Sequence, residues 1–164
     1  MSFESEDVAA EDFDRARRRA LAARVRSILT GRRDELLSYD EVRRLVAPAT
    51  ESCRGVRAIR VDRIVGSEGR TPDFDGSFLP RQKFLRHRWQ SIDAAHLQEK
   101  TLPPIKVYEL GGVFFVRDGN HRVSVARAHK WTFIDAEVVQ VSSHVELAPG
   151  MSLKEVAAAA VAVA

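Results

Sequence analysis

The stretch "VRDGNHRVSVARAHKW", residues 116–131, decides the fold. Its beginning continues the apolar run "VFF", whereas its second half carries small apolar residues at the three- to four-residue spacing of a helix face. These buried candidates are Val123, Ala126 and Ala128. The stretch therefore predicts a strand that turns directly into a helix, with Gly119 at the junction.

The junction also has the composition of an anion site. A helix N-terminus presents unpaired backbone N–H groups and the positive end of the helix dipole, and Gly119 would let an anion approach them closely. His121 and Arg122 add donors at the same point, although their charge opposes the dipole. A structural explanation also fits, in which Asn120 or Asp118 caps the helix, His121 lies in the core and Arg122 pairs with an acid. The local residues leave both explanations open.

The N-terminal part of the chain predicts two helices. Residues 5–30 carry apolar residues at helical spacing, with an acidic first half and an arginine-rich second half that complement the helix dipole. Ser38 and Glu41 form a capping-box pattern before a second, short helix that ends at Pro48. The small and polar residues 49–55 then predict a linker.

The rest of the chain predicts a small sheet with packed helices. Residues 56–65 alternate apolar and charged side chains like a strand or two short extended pieces, and residues 80–98 have the periodicity of a helix or two abutting helices. "IKVYEL" and "VFFVR" flank Gly111 and Gly112, which predicts a hairpin, and "FIDAEVVQV" predicts a last strand. The order strand, helix, strand, strand, helix, strand indicates an α+β fold.

We therefore expect three parts along the chain. Residues 1–50 form a helical N-terminal arm, residues 51–147 the α+β domain, and residues 148–164 a C-terminal tail. Ser152 and Glu155 offer a capping box to a helix in this tail.

Composition restricts the partners and the location. Basic residues exceed acidic ones by 26 to 23, and only five of the 26 are lysines, so most cations are arginines suited to bidentate phosphate contacts. The single Cys53 allows no internal disulfide, and no run approaches the ~20 apolar residues of a membrane span, so we expect a soluble cytoplasmic protein. The histidines lack the spacing of a zinc site, so no metal ligands are predicted.

Residues 56–141 resemble the N-terminal domain of the ParB and sulfiredoxin superfamily. "IRVDRI" is similar to the opening strand, and "GR" at Gly69 and Arg70 to an arginine-containing loop. "LPPIKVYEL" resembles the segment that leads into the next strand. "GGVFFVRDGNHRVSVARAHKWTFIDAEVV" resembles the hairpin, the phosphate-binding turn, the following helix and the last strand. The resemblance implies a ParB/sulfiredoxin-like small mixed sheet with packed helices, to which this chain adds the N-terminal helical arm.

The turn distinguishes the branches of this superfamily. Sulfiredoxins carry a catalytic cysteine as G-C-H-R, but Asn120 stands at that position here, and an amide cannot act as a thiolate nucleophile. ParB partition proteins carry G-E-R-R. The D-G-H-H-R of the free-serine kinase branch differs from the D-G-N-H-R of this chain at one position, so this branch is the nearest in local sequence.

The resemblance implies a bound nucleoside triphosphate, ATP or CTP, with Mg²⁺. The residues that would bind it are Arg70, Arg81, Gly119, Asn120, His121 and Arg122. The residues that would assist phosphoryl transfer are Glu68, Asp118 and His121, since this chemistry depends on positioning and charge stabilisation.

Three functions are compatible with these expectations. The first is a regulatory or DNA-associated nucleotide-binding domain, the second a Mg²⁺-dependent phosphotransferase acting on a small molecule, and the third a nuclease-like enzyme. Partition-type ParB proteins continue into a helix-turn-helix domain, for which the roughly two dozen residues after Val141 are too few. DNA binding would therefore use basic residues elsewhere, and the N-terminal helices could form a homodimer contact.

Overall fold

A computed structural model describes residues 2–164 of the chain. The α-helices are α1 Ser2–Thr30, α2 Tyr39–Val46, α3 Arg86–Leu97, α4 Asn120–Ala128 and α5 Leu153–Ala162. The strands are β1 Leu37–Ser38, β2 Glu51–Arg60, β3 Ile64–Ser67, β4 Ile105–Leu110, β5 Val113–Asp118 and β6 Phe133–Val141. Short 3-10 turns lie at Val61–Arg63 and Lys83–Leu85.

The six strands form one mixed sheet in the order β1-β3-β5-β4-β6-β2. The β1/β3, β3/β5 and β4/β6 pairs are parallel, whereas β4/β5 and β2/β6 are antiparallel. This architecture confirms the expected α+β fold with a small mixed sheet and a long N-terminal helix. Because β3 runs parallel to β5 and β4 antiparallel to it, the ends of β3 and β5 and the start of β4 lie at one edge of the sheet.

Helices cover both faces of the sheet, and β5 shows why. Its "VFFV" is buried on both sides, since successive side chains of a strand point to opposite faces. Phe114 and Val116 pack in a core with residues of α1, α3 and α4, including the fully buried Trp89. Val113 and Phe115 pack in a second core with residues of α2 and α5. A strand buried on both faces has no alternating pattern.

One local prediction was wrong. Residues 51–55, predicted as part of a linker, belong to β2, which pairs along its length with β6 through a β-bulge between Cys53 and Val56. Of the ten residues of β2 only Ile59 is buried, so its composition resembles a surface loop. Residues 56–65, predicted as a strand or two short extended pieces, form the end of β2 and the start of β3 with the turn Val61–Arg63 between them. Residues 80–98, predicted as a helix or two abutting helices, contain the turn Lys83–Leu85 followed by α3.

The terminal helices pack on the domain. Phe13 of α1 is fully buried and contacts the ring of Trp89 edge-on, with 5.6 Å between ring centroids, so α1 contributes to the first core. The predicted capping box of α5 is present, with the Ser152 and Glu155 side chains bonded to each other's backbone N–H groups. Within residues 2–164, no helix is long and apolar enough to cross a membrane.

Candidate anion-binding site

Gly119 allows β5 to turn directly into α4 beside the start of β4. Its φ of +104° lies in the left-handed region, which glycine adopts without steric cost. A β-carbon there would lie 2.6 Å from Cγ2 of Ile105, far inside van der Waals contact. Both the backbone conformation and the space at this junction therefore require glycine.

Asn120 begins α4 and is fixed from the neighbouring strand. Its Oδ1 accepts a hydrogen bond of 2.7 Å from the hydroxyl of Ser67, the last residue of β3, and both side chains are buried. The amide nitrogen of the Asn120 side chain has no acceptor among the described residues and remains available as a donor.

The first turn of α4 has unpaired backbone donors. Gly119 is the N-cap residue and supplies no side-chain acceptor, and the first helical bond runs from the N–H of Val123 to the carbonyl of Gly119 at 3.0 Å. In the described part of the chain, the N–H groups of Asn120, His121 and Arg122 have no acceptor. The positive end of the helix dipole therefore has no counter-charge from a capping carboxylate.

The pKa of His121 indicates which charged groups lie near the start of α4. Its ring packs edge-on against Phe74 at 5.5 Å between centroids, and its Nδ1 is buried without a hydrogen-bond partner. Burial, assisted by the positive charges of Arg88 and Arg70, lowers the pKa of His121 from 6.5 to about 4, and Asp73 opposes this only weakly. His121 is therefore neutral at pH 7, and two arginines lie near the start of α4.

Arg70 and Arg88 differ in whether an acidic side chain neutralises their charge. Arg70, in the loop after β3, forms an ion pair of 3.0 Å with Asp73, and more than half of its side chain is exposed. Arg88, in the first turn of α3, is exposed and has no ion pair or hydrogen bond among the described residues. Arg88 was not among the predicted ligands, because nothing in the sequence distinguishes it from Arg86 two residues earlier, which pairs with Asp14.

Arg122 is directed at the protein's own backbone. Its guanidinium donates to the carbonyls of Pro103 and Pro104 at 2.5 and 2.9 Å and to the carboxylate of Asp118 at 2.9 Å. Only 13% of its side chain is exposed. Arg122 therefore ties the segment before β4 to the turn, and Asp118 is its ion-pair partner.

Arg81 and Glu68 have their described interactions outside the turn. Arg81 donates to the backbone carbonyl of Asp34 and lies 3.9 Å from the carboxylate of that residue. The charge of Glu68 contributes to raising the pKa of Tyr39 and Tyr108, which pack on the second face of the sheet. Of the predicted ligands, the structure brings together Gly119, Asn120, His121 and Arg70, with Arg122 as a brace.

A second group of titratable side chains joins α1, α3 and the end of α4. The Oδ1 of the fully buried Asp93 lies 2.5 Å from Nε2 of His129, which lies 3.9 Å from Oδ2 of Asp12. Arg15 pairs in turn with Asp12 at 2.8 Å. Burial raises the pKa of Asp93, and the hydrogen bond from His129 opposes this. Two ligand atoms of one zinc ion would lie about 3.3 Å apart, so the closer His129–Asp93 contact is a hydrogen bond within an ion-pair network.

A surface cavity of about 660 Å³ lies at the opposite end of the β4–β5 hairpin from the turn. Its arginines are already engaged, since Arg54 donates to the side chain of Gln140 and Arg63 to the carbonyl of Gly112. This cavity therefore lacks the uncompensated cation that Arg88 provides near the start of α4.

No protein-family model matches the chain, and no curated protein does. The chain is similar in structure to a sulfiredoxin from Arabidopsis thaliana, with 16% sequence identity and a TM-score of 0.33, over 51% of this chain and 82% of that chain. The architecture described above follows from the strand order of this chain itself, and the similarity decides nothing about its chemistry.

Proposed function

We propose that the domain binds a nucleotide through its phosphates at the N-terminal end of α4. The observation that carries this proposal is that the first N–H groups of α4 have no acceptor among the described residues, while Arg88 and Arg70 lie close enough to His121 in the same turn to lower its pKa. Helix N-termini with free N–H groups bind anions in many proteins, and a guanidinium adds charge-assisted hydrogen bonds to phosphate.

The electrostatics support an anion in particular. Burial is the largest cause of the lowered pKa of His121, and among the charged groups that act on it Arg88 and Arg70 lower the pKa and only Asp73 raises it, so positive charge is in excess here. A bound phosphate would supply the missing negative charge. The neutral His121 removes one further cation that would otherwise oppose the helix dipole.

A nucleoside triphosphate, ATP or CTP, with Mg²⁺ is the proposed ligand. Its chain of phosphates matches a site that has donors on both α4 and the loop after β3. The nearby carboxylates Asp73 and Asp118 are each paired with an arginine, so Mg²⁺ would be held chiefly by the phosphates, as this ion commonly is. The residues present therefore fit the complex of nucleotide and ion.

The geometry favours regulatory binding over phosphoryl transfer or a nuclease-like reaction. A histidine with a pKa of about 4 is a weak general base at pH 7, when an effective one has a pKa near the working pH. Asp118 is held by Arg122. DNA binding through β2 is not favoured, because its Arg57 and Arg60 are already paired with acidic side chains.

Calorimetric titration with ATP and CTP, each with Mg²⁺, tests this proposal. We expect the substitution Arg88→Ala to weaken binding by about tenfold or more, since it removes a charge-assisted contact. Arg44→Ala is the matched control, because Arg44 is also exposed on a helix and lies on α2 at the other face. Equal affinity of the wild type and Arg88→Ala would refute the proposed site. Conversion of the triphosphate to the diphosphate only when an acceptor is present, with the phosphoryl group recovered on that acceptor, would instead assign a phosphotransferase.

A further inference from the structure

The last third of α1 lacks a covering element. Earlier in the helix Ala9, Phe13, Ala16 and Ala20 are at most 2% exposed, but no residue from 21 to 30 is buried. Within that segment Leu21, Val25 and Ile28 are 63%, 51% and 73% exposed. Residues at i, i+4 and i+7 lie on one side of a helix, so the three form a continuous apolar stripe.

This stripe continues toward the start of the helix. Successive residues of an α-helix are rotated by about 100°, which places the stripe roughly a quarter turn or more around the helix from the buried side of α1. The same line passes through Phe3, Asp7 and Ala10 in the first half of α1 and then reaches Asp14, which is paired with Arg86 of α3. Phe3 is 84% exposed. We call the six residues Phe3, Asp7, Ala10, Leu21, Val25 and Ile28 the α1 stripe.

The charges along α1 decide what can cover the stripe. The first half of the helix is acidic and the second half carries arginines. Asp7 and Arg24 illustrate this polarity, and neither has an ion pair among the described residues. Parallel pairing with another α1 would place like charges together, whereas antiparallel pairing places the acids of one helix opposite the arginines of the other. DNA is less suitable, because Asp7 would repel its phosphates.

We propose that two copies of this chain pair antiparallel through their α1 stripes. Ala10 of one copy would lie opposite Leu21 of its partner, where the small side chain permits close approach. Asp7 would lie opposite Arg24. Such a contact is isologous, so each pair occurs twice around the two-fold axis. This interface is independent of the nucleotide site, because it uses none of the residues at the start of α4.

Sedimentation equilibrium of the full chain tests the interface. We expect a concentration-dependent dimer for the wild type and a monomer for Leu21→Glu/Ile28→Glu, at protein concentrations where the wild type is dimeric. Both substitutions are at exposed positions, so circular dichroism should be unchanged. Phe84→Glu is the matched control, since Phe84 is 69% exposed outside α1 and should leave the dimer intact.

Charge reversal tests the direction of the helices. Asp7→Arg should weaken the dimer, and Asp7→Arg/Arg24→Asp should restore it, because the double change recreates both ion pairs with exchanged signs. A double variant as weak as the single one would overturn the antiparallel arrangement. A wild type that is monomeric at every concentration would overturn the dimer, and salt-dependent retardation of duplex DNA by that monomer would assign the stripe to nucleic acid.

Discussion

The hydroxyl of Ser67 donates a 2.7 Å hydrogen bond to Oδ1 of Asn120 and thereby joins the end of β3 to the first turn of α4. The same hydroxyl lies 3.3 Å from the carbonyl of Val116 in β5. Since Arg70 follows Ser67 by three residues, this contact also places the loop that carries Arg70 beside the turn. The proposed phosphate site depends on this connection.

Substitution of Ser67 tests the connection. Ser67→Ala leaves the buried Oδ1 of Asn120 without its donor, which should cost about 1–3 kcal/mol of the free energy of unfolding. Urea denaturation measures this loss. Ser142→Ala is the control, because Ser142 bonds Thr50 at an exposed position and should cost less. Equal losses in the two variants would show that the buried hydrogen bond of Ser67 contributes no more to stability than the exposed one of Ser142.

A comparison of two glycines tests the packing of the junction. Gly119 and Gly150 both have positive φ, but only at Gly119 would a β-carbon meet another atom, Cγ2 of Ile105. Gly150→Ala should therefore lose about 1 kcal/mol from the left-handed backbone alone. Gly119→Ala should lose several times more, or fail to fold. Thermal unfolding of both variants measures the difference, and similar melting temperatures would contradict the described geometry.

The pKa of His121 predicts how stability depends on pH. Burial and the nearby arginines lower the pKa from 6.5 to about 4 in the folded protein, so the unfolded chain binds more protons between these values. The free energy of unfolding should therefore fall as the pH decreases from 6.5 toward 4. His121→Gln, which cannot titrate, should have a weaker pH dependence in this range. Parallel slopes for the two proteins in urea denaturation at successive pH values would disprove this assignment.

Two buried hydroxyls should respond oppositely to removal. The hydroxyl of Tyr39 is buried without a partner, and burial raises its pKa to about 12, so Tyr39→Phe should cost little or stabilise. Ser124 accepts a 2.8 Å bond from Nε1 of Trp89, so Ser124→Ala should cost about 1–3 kcal/mol. Chemical denaturation of both variants tests the contrast. A larger loss for Tyr39→Phe would indicate a partner for its hydroxyl.

The sequence predicted those parts of the fold that depend on local chemistry. The paired Gly111 and Gly112 give the hairpin, and Gly119 gives the turn, because positive φ is a local requirement. It failed for residues 51–55 of β2, which are held by pairing with β6 rather than by an apolar face. A strand stabilised by backbone pairing alone has no hydrophobic pattern to read.

The backbone of the candidate site, a helix that begins at Asn120, could be predicted from the sequence. The partners of its arginine side chains could not. Sequence reasoning placed Asn120 and His121 at the start of a helix, as the structure does. Three arginines illustrate the limit, since Arg122 bonds two backbone carbonyls, Arg81 bonds Asp34, and Arg88 is left unpaired. Which arginine is free depends on contacts between residues far apart in sequence, which spacing along one segment does not specify.

The central claim, a phosphate site at the start of α4, is tested most directly by nuclear magnetic resonance titration of the His121 ring. With saturating ATP and Mg²⁺, bound negative charge should raise the pKa of His121 from about 4 toward 6.5 and shift the amide signals of Asn120 and His121. An unchanged pKa together with unshifted amide signals, at nucleotide concentrations in the millimolar range, would contradict the claim.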